Sequence, residues 1–223
     1  MAVPRARSGD AKQNRRAHIL DTALDLWESR SYAHFTMGDV AERSGLARST
    51  LYLYFPTREE LLLALLEQLL GEWFAALNAE LHATPGEMPA AAAAALIGET
   101  LGQRPALTRL LPIASSILEH NISPAAARAY KEQLLTWAGR SGALLEQRMP
   151  FLGAGGGVWL LLQVYALVLG LGQMADPAPV VAEILAESHM EPLRIDFGPA
   201  LRRALMALLR GIEAGAASEE RHD

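Results

Sequence analysis

Cysteine is absent from the 223 residues, which excludes disulfide frameworks, thiolate metal sites and cysteine nucleophiles together. Aromatic residues are scarce at 6%, β-branched residues come only in short clusters, and no alternating apolar–polar run would make a strand. The histidines, His18, His34, His82, His120, His189 and His222, include no pair at helical metal-ligand spacing. His120 follows Glu119 directly, so the two do not share a helix face. No G-x-S-x-G, P-loop or dinucleotide fingerprint occurs, and Gly153 to Gly157 has neither a preceding strand nor a phosphate-binding lysine. Neither catalysis, a metal nor a cofactor is expected. The N-terminus MAVPRARSGDAKQNRR lacks the apolar segment of a secretory signal, and a cytoplasmic protein is the expectation.

What is abundant is alanine and leucine, in a chain that is 51% hydrophobic, and this favours an all-α fold. The net charge of −5 is unevenly divided. Residues 1–58 hold nine Lys/Arg against six Asp/Glu, and the remainder holds eleven against nineteen. A basic N-terminal part suits contact with nucleic acid, although basic tails also serve solubility. The long uncharged stretch Phe151 to Gly172 invites a membrane reading. Its glycine-rich first third and Gln163 leave a helical part near the ~10 to 14 residues of a buried core helix, so an interface helix is expected and no membrane partner.

The segment Phe35 to Arg58, FTMGDVAERSGLARSTLYLYFPTR, has the order of a helix-turn-helix. Thr36 stands at an N-cap, Val40 and Ala41 give the first helix a small apolar face, and Gly45 can take the left-handed turn conformation with Leu46 closing the corner. The second helix, from Arg48 to Leu53, carries its polar residues at the end that would point into a major groove. Before this unit, Ile19, Leu20, Ala23, Leu24, Leu26 and Trp27 mark an amphipathic helix from about Ala11 to Arg30. After it, Thr57 and Glu60 form a capping box for a helix running to about His82. Beyond Thr84-Pro85-Gly86, proline and glycine delimit helices at about Met88–Leu101, Pro105–Glu119, Pro124–Arg148, Val158–Gln173, Val180–Glu187 and Phe197–Glu213. The domains expected are a flexible arm (1–10), the helix-turn-helix unit (11–58), a helical domain (59–215) and a polar tail (216–223).

Residues from about Arg16 to Leu65 resemble the DNA-binding domain of the TetR (tetracycline repressor) family of transcriptional regulators. The matching residues are Ile19-Leu20 with Ala23-Leu24, Thr36, Val40-Ala41, Gly45-Leu46, Thr50-Leu51-Tyr52, Tyr54-Phe55, and Arg58-Glu59 with Leu61. The resemblance implies a three-helix DNA-binding unit joined by a long helix to a helical effector-binding and dimerisation domain. It implies that Thr36 caps its helix and bonds a phosphate, that Arg48 and Ser49 meet bases, and that Thr50 meets a thymine methyl or a phosphate. Tyr52 and Tyr54 match backbone-contacting positions, Leu51 and Phe55 should face the core, and Arg58 stands where a lysine usually faces a phosphate. The chain departs from the pattern at Ala47, where a serine cap is common, at Gly38, where some members carry a DNA-contacting side chain, and at Met37, where a second hydroxyl is common.

By the same resemblance, a homodimer is expected through Val158–Gln173 and Phe197–Glu213, which suits paired half-sites on a palindromic operator. A small effector, hydrophobic or amphipathic, is expected among the central helices. Glu119, His120, Tyr130, Gln133, Trp137, Trp159 and Gln163 are its candidate contacts, together with Asn121, Tyr165 and Gln173; for each, ordinary packing is the competing role. The function expected is a ligand-responsive regulator, a repressor in its commonest form. The alternative is a helical adaptor of the same fold that has lost specific DNA binding.

Overall fold

Capping and glycine chemistry set the helix boundaries. The computed structural model describes the backbone of residues 4–219 and the side chains of residues 11–218. These residues form α1 (Pro4–Ser29), α2 (Met37–Arg43), α3 (Arg48–Tyr54), α4 (Arg58–Ala83), α5 (Ala90–Gly102), α6 (Pro105–Ser116), α7 (Pro124–Arg148), α8 (Gly156–Ala175), α9 (Pro179–Leu185) and α10 (Phe197–Glu219). No strand occurs among the described residues, and the fold is all-α. Short 3-10 turns at Tyr32–His34, Leu118–His120, Pro150–Leu152 and Ser188–Leu193 occupy several of the connections. The chain divides into two compact units, one of Met1–Leu69 with Ile113–Tyr130 and one of Leu70–Pro112 with Lys131–Asp223.

In the first unit, α1 buries Ile19, Leu20, Ala23, Leu26 and Trp27, and the Trp27 ring meets Phe35 edge-on at 6.3 Å. Met37, Val40 and Ala41 of α2 and Leu51 of α3 complete this core with Leu61, Leu62 and Leu65 of α4. α1 begins at Pro4, inside the stretch expected to be an arm, while the side chains of Arg5 and Arg7 lie outside the described residues. Thr57 caps α4 as its spacing predicts, its hydroxyl accepting from the Glu60 N–H at 3.0 Å. The Glu60 carboxylate does something else: it accepts from the Ser123 N–H at 3.3 Å, a partner 63 residues away that no local pattern reveals.

In the second unit, α10 buries Leu201, Leu205 and Leu209 and packs on α5 and α8. α7 and α8 cross so closely that a Cβ at Gly157 would lie 2.1 Å from the Gly142 carbonyl oxygen, so this crossing requires glycine. The Gly157 N–H donates to the Glu146 carboxylate at 3.0 Å. That cap lets helix begin within the glycine run, and α8 reaches 20 residues rather than the shorter core helix expected. It is long and apolar enough to cross a membrane, the one such helix among the described residues. Arg148 ties off the C-terminal end of α4, donating to the Leu81 carbonyl at 2.8 Å and to that of Gly86 at 3.1 Å.

Candidate nucleic-acid interface

The turn between α2 and α3 is closed by backbone chemistry. The Gly45 N–H donates to the Glu42 carbonyl at 3.1 Å and the Leu46 N–H to the Ala41 carbonyl at 2.9 Å, the paired bonds of a Schellman motif. Gly45 takes a φ of 67°, the left-handed conformation this closure needs. The Ser44 hydroxyl donates to the Val40 carbonyl at 2.7 Å, and the His18 ring lies 3.3 Å from the Ser44 carbonyl oxygen, tying α1 to the turn.

α3 is anchored along one side by the buried Leu51 and at its end by Phe55, whose ring carries the Arg16 guanidinium 5.2 Å from its centroid. The N-terminus of α3 has no side-chain cap at Ala47, as the departure from serine there predicts. The opposite face presents Ser49, Tyr52 and Leu53 at i, i+3 and i+4, with Arg48 at its start. Thr50 and Tyr54 are half-buried flanks. Tyr52 is 48% exposed and Leu53 is 81% exposed. Leu53 is absent from the expected contacts because periodicity alone does not tell an outward leucine from a core one. An apolar side chain held out on this face suits a thymine methyl.

Thr36 caps α2, its hydroxyl oxygen accepting from the Asp39 N–H at 3.2 Å. The same hydroxyl donates to the Asp39 carboxylate at 2.6 Å, which also accepts from Arg30 at 2.5 Å. The Thr36 hydroxyl bond is the largest influence on the Asp39 carboxyl; burial opposes it, and the Arg30 charge and hydrogen bond and the Arg48 charge add to it, so the group is held below its usual range. A phosphate contact from Thr36 therefore has to use or replace the proton that Asp39 now receives. The Arg48 guanidinium lies back over α2, against Gly38.

Arg58 is held from within. Its guanidinium donates to the Tyr32 hydroxyl at 2.5 Å, to the Phe35 carbonyl at 3.3 Å and to the Glu59 carboxylate at 3.1 Å, and it sits 4.1 Å from the centroid of the Tyr32 ring. The Tyr32 hydroxyl in turn donates to Glu59 at 2.8 Å. Burial would raise the Glu59 carboxyl, but the bonds from Tyr32 and Arg58 outweigh it and hold the group below its usual range. Burial first, and then Glu59, push the Tyr32 hydroxyl up. Arg58 thus joins the turn before α2 to the start of α4, a role its spacing 26 residues from Tyr32 conceals.

The expected effector residues fall in both units. Glu119, His120 and Tyr130 belong to the first, where Tyr130 is buried, Glu119 half-buried and His120 exposed. Gln133 and Trp137 share a face of α7 in the second unit, and Trp159 and Gln163 share one of α8. Trp137 stacks on Phe74 with ring centroids 5.9 Å apart, and its indole fills the space above Gly71. Trp159 is 61% exposed. Two open grooves of about 330 and 580 Å³ in this unit meet at Arg194 and Ile195, and none of the seven residues lines either.

Residues 19–65 match the family described as bacterial regulatory proteins, tetR family, and residues 67–216 match the tetracyclin repressor-like C-terminal domain. The chain belongs to the TetR family of transcriptional regulators. Over 73 residues the chain is 40% identical to the HTH-type transcriptional regulator EthR of Mycolicibacterium smegmatis, a match covering 30% of this chain and 32% of that protein. It is 35% identical over 75 residues to the HTH-type transcriptional regulator RutR of Escherichia coli K12, covering 34% of each. The chain therefore spans about a third of the length of the curated TetR relatives it matches. Among solved structures, the multidrug binding protein EbrR complexed with imidazole is similar over 87% of this chain and 94% of its own, with a TM-score of 0.56 and 23% identity. The FadR regulator from Bacillus subtilis in complex with stearoyl-CoA is similar over 86% and 96%, with a TM-score of 0.53 and 16% identity. At these identities the likeness is one of fold.

Proposed function

We propose that this TetR-family chain is a repressor that binds a palindromic operator as a homodimer and releases it when a small hydrophobic or amphipathic effector binds. The observation that carries the reading is the outward face of α3. A short helix is anchored by Leu51 and Phe55 and braced by a Schellman turn, and its other face holds Ser49, Tyr52 and Leu53 out to solvent, with Arg48 at its start laid against Gly38. Among the described residues, Ser49, Tyr52 and Leu53 lie outside the first unit's buried core, and the residue types of this face suit base edges and phosphates. Arg48 and Ser49 read bases, Thr50, Tyr52 and Tyr54 line the backbone, and Thr36 and Arg58 steady the elements on either side. The site of action would be the cytoplasm, with the operator.

The apolar residues that α8 leaves uncovered support the dimer reading. Leu160, Leu161, Val164 and Val168 are buried within the second unit, whereas Trp159, Leu162 and Met174 are exposed. A second copy of α8 and α10 supplies the missing cover, and two recognition helices then address half-sites about 34 to 36 Å apart. The effector contacts remain those named from the sequence, taken residue by residue: Glu119, His120, Tyr130, Gln133, Trp137, Trp159 and Gln163. For repression to be relieved, the effector has to bind the DNA-incompetent arrangement more tightly. A preference of ~1 to 3 kcal/mol changes operator affinity about 5- to 150-fold.

The test is selection from random duplex DNA, followed by gel-shift titration of the selected sequence with the wild type and Arg48→Ala. The reading expects a palindromic site whose binding weakens with Arg48→Ala. A chain that binds all duplexes alike, or none, fits the adaptor of the same fold instead.

A further inference from the structure

Gly38 lies on the first turn of α2, and no carbon can be added there without meeting Arg48. A Cβ built on Gly38 would stand 2.6 Å from one terminal nitrogen of the Arg48 guanidinium, 3.1 Å from its central carbon and 3.3 Å from Nε. All three of these close atoms belong to the far end of one side chain, and that side chain comes from the first residue of the recognition helix. The backbone of Gly38 is ordinary right-handed helix and needs no glycine for its own sake. The neighbouring Asp39 carboxylate, held ionised by Thr36 and Arg30, adds an attraction for the Arg48 cation at the same place.

We propose that Gly38 is a specificity-determining position that acts through Arg48: its missing side chain is the space in which the guanidinium is held for base readout. This rests on the proposed DNA-reading function of α3. Non-bonded atoms settle at ~3.5 to 4.0 Å, so any side chain at residue 38 drives the guanidinium back by about 1 Å or into another rotamer. A bidentate contact to a guanine depends on the plane and position of the fork, and such a displacement degrades it. Because the obstacle is the tip of a flexible side chain, the fold yields at little cost. Alanine in place of glycine also favours the helix. Gly38→Ala should therefore be at least as stable as the wild type while reading DNA less well.

The experiment is a double-mutant cycle on the operator selected from random duplexes by the wild-type protein. Gly38→Ala, Arg48→Ala and the double variant are titrated against that operator and against single-base-pair substitutions of it, and their thermal unfolding is followed alongside. The expected result is that Gly38→Ala weakens operator binding about tenfold, with the loss concentrated at the base pair whose identity Arg48→Ala also ceases to discriminate. In the Arg48→Ala background the same change should have no further effect, because the side chain it displaces is gone. Equal losses from Gly38→Ala in both backgrounds would mean that the added methyl obstructs DNA directly, and would overturn the inference. So would a Gly38→Ala protein with wild-type affinity and discrimination. A wild type that selects no sequence at all would instead fail the DNA-reading function, and this inference with it.

Discussion

Arg58 shows how much a single side chain can be committed before any partner arrives. Its guanidinium is shared among the Tyr32 hydroxyl and ring, the Phe35 carbonyl and the Glu59 carboxylate. Arg58→Ala is expected to lower stability by ~1 to 2 kcal/mol in urea unfolding, since it strands Tyr32 and Glu59 and the site is only partly screened by solvent. Arg58→Lys should recover little of this, lacking the planar fork. Thr36 carries the second prediction at this scale. The Asp39 carboxyl lies below its usual range chiefly because the Thr36 hydroxyl donates to it. A carboxyl depressed in the folded state adds stability above its ordinary pKa, and that stability is lost as the pH falls below about 4 towards the depressed value. Thr36→Val should move the Asp39 titration up towards the ordinary range, followed by carbon NMR of the carboxyl, and should flatten the acid limb of stability. An unchanged Asp39 titration would show that Arg30 and Arg48 suffice to hold it.

At the scale of elements, the helix-turn-helix was legible in the sequence because its determinants are local. The Thr36 cap, the Gly45 turn and the inward Val40 and Ala41 follow from spacing, the inward Leu51 and Phe55 from the family resemblance, and all are found where these put them. Gly45 has open space around the position of a Cβ, so Gly45→Ala tests backbone strain alone and should cost ~1 to 2 kcal/mol in thermal or urea unfolding. What the sequence concealed depends on contacts between distant residues. The Glu60 carboxylate is drawn to Ser123 rather than completing its capping box, Arg58 is drawn to Tyr32, and Gly38 gives way to Arg48. Leu53 is given no role by the sequence, and the anchoring of Leu51 and Phe55 turns it outward. Leu53→Ala should leave stability unchanged and weaken operator binding, whereas Leu205→Ala in the buried seam of α10 should cost ~2 to 5 kcal/mol of stability. The length of α8 was underestimated because glycine is a poor helix former, and the Glu146 cap that offsets this comes from another helix.

At the scale of the whole molecule, α8 leaves large apolar side chains uncovered while α3 holds out Ser49, Tyr52 and Leu53. Both make sense if two copies act together on DNA. Leu162→Glu, at an exposed apolar position of α8 outside the proposed effector contacts, should leave the helical circular dichroism of the chain intact, give a monomer in sedimentation equilibrium where the wild type is expected to dimerise, and remove operator binding at physiological salt, since one reading head alone has little affinity. The measurement that bears most directly on the account is a titration of the full chain into its selected palindromic duplex, read by anisotropy with the mass of the complex determined alongside. The account predicts two chains per operator, binding that weakens steeply with salt, and a loss of about 5- to 150-fold for Arg48→Ala. Equal affinity for the selected and a scrambled duplex, or an Arg48→Ala protein that binds as the wild type does, would contradict it.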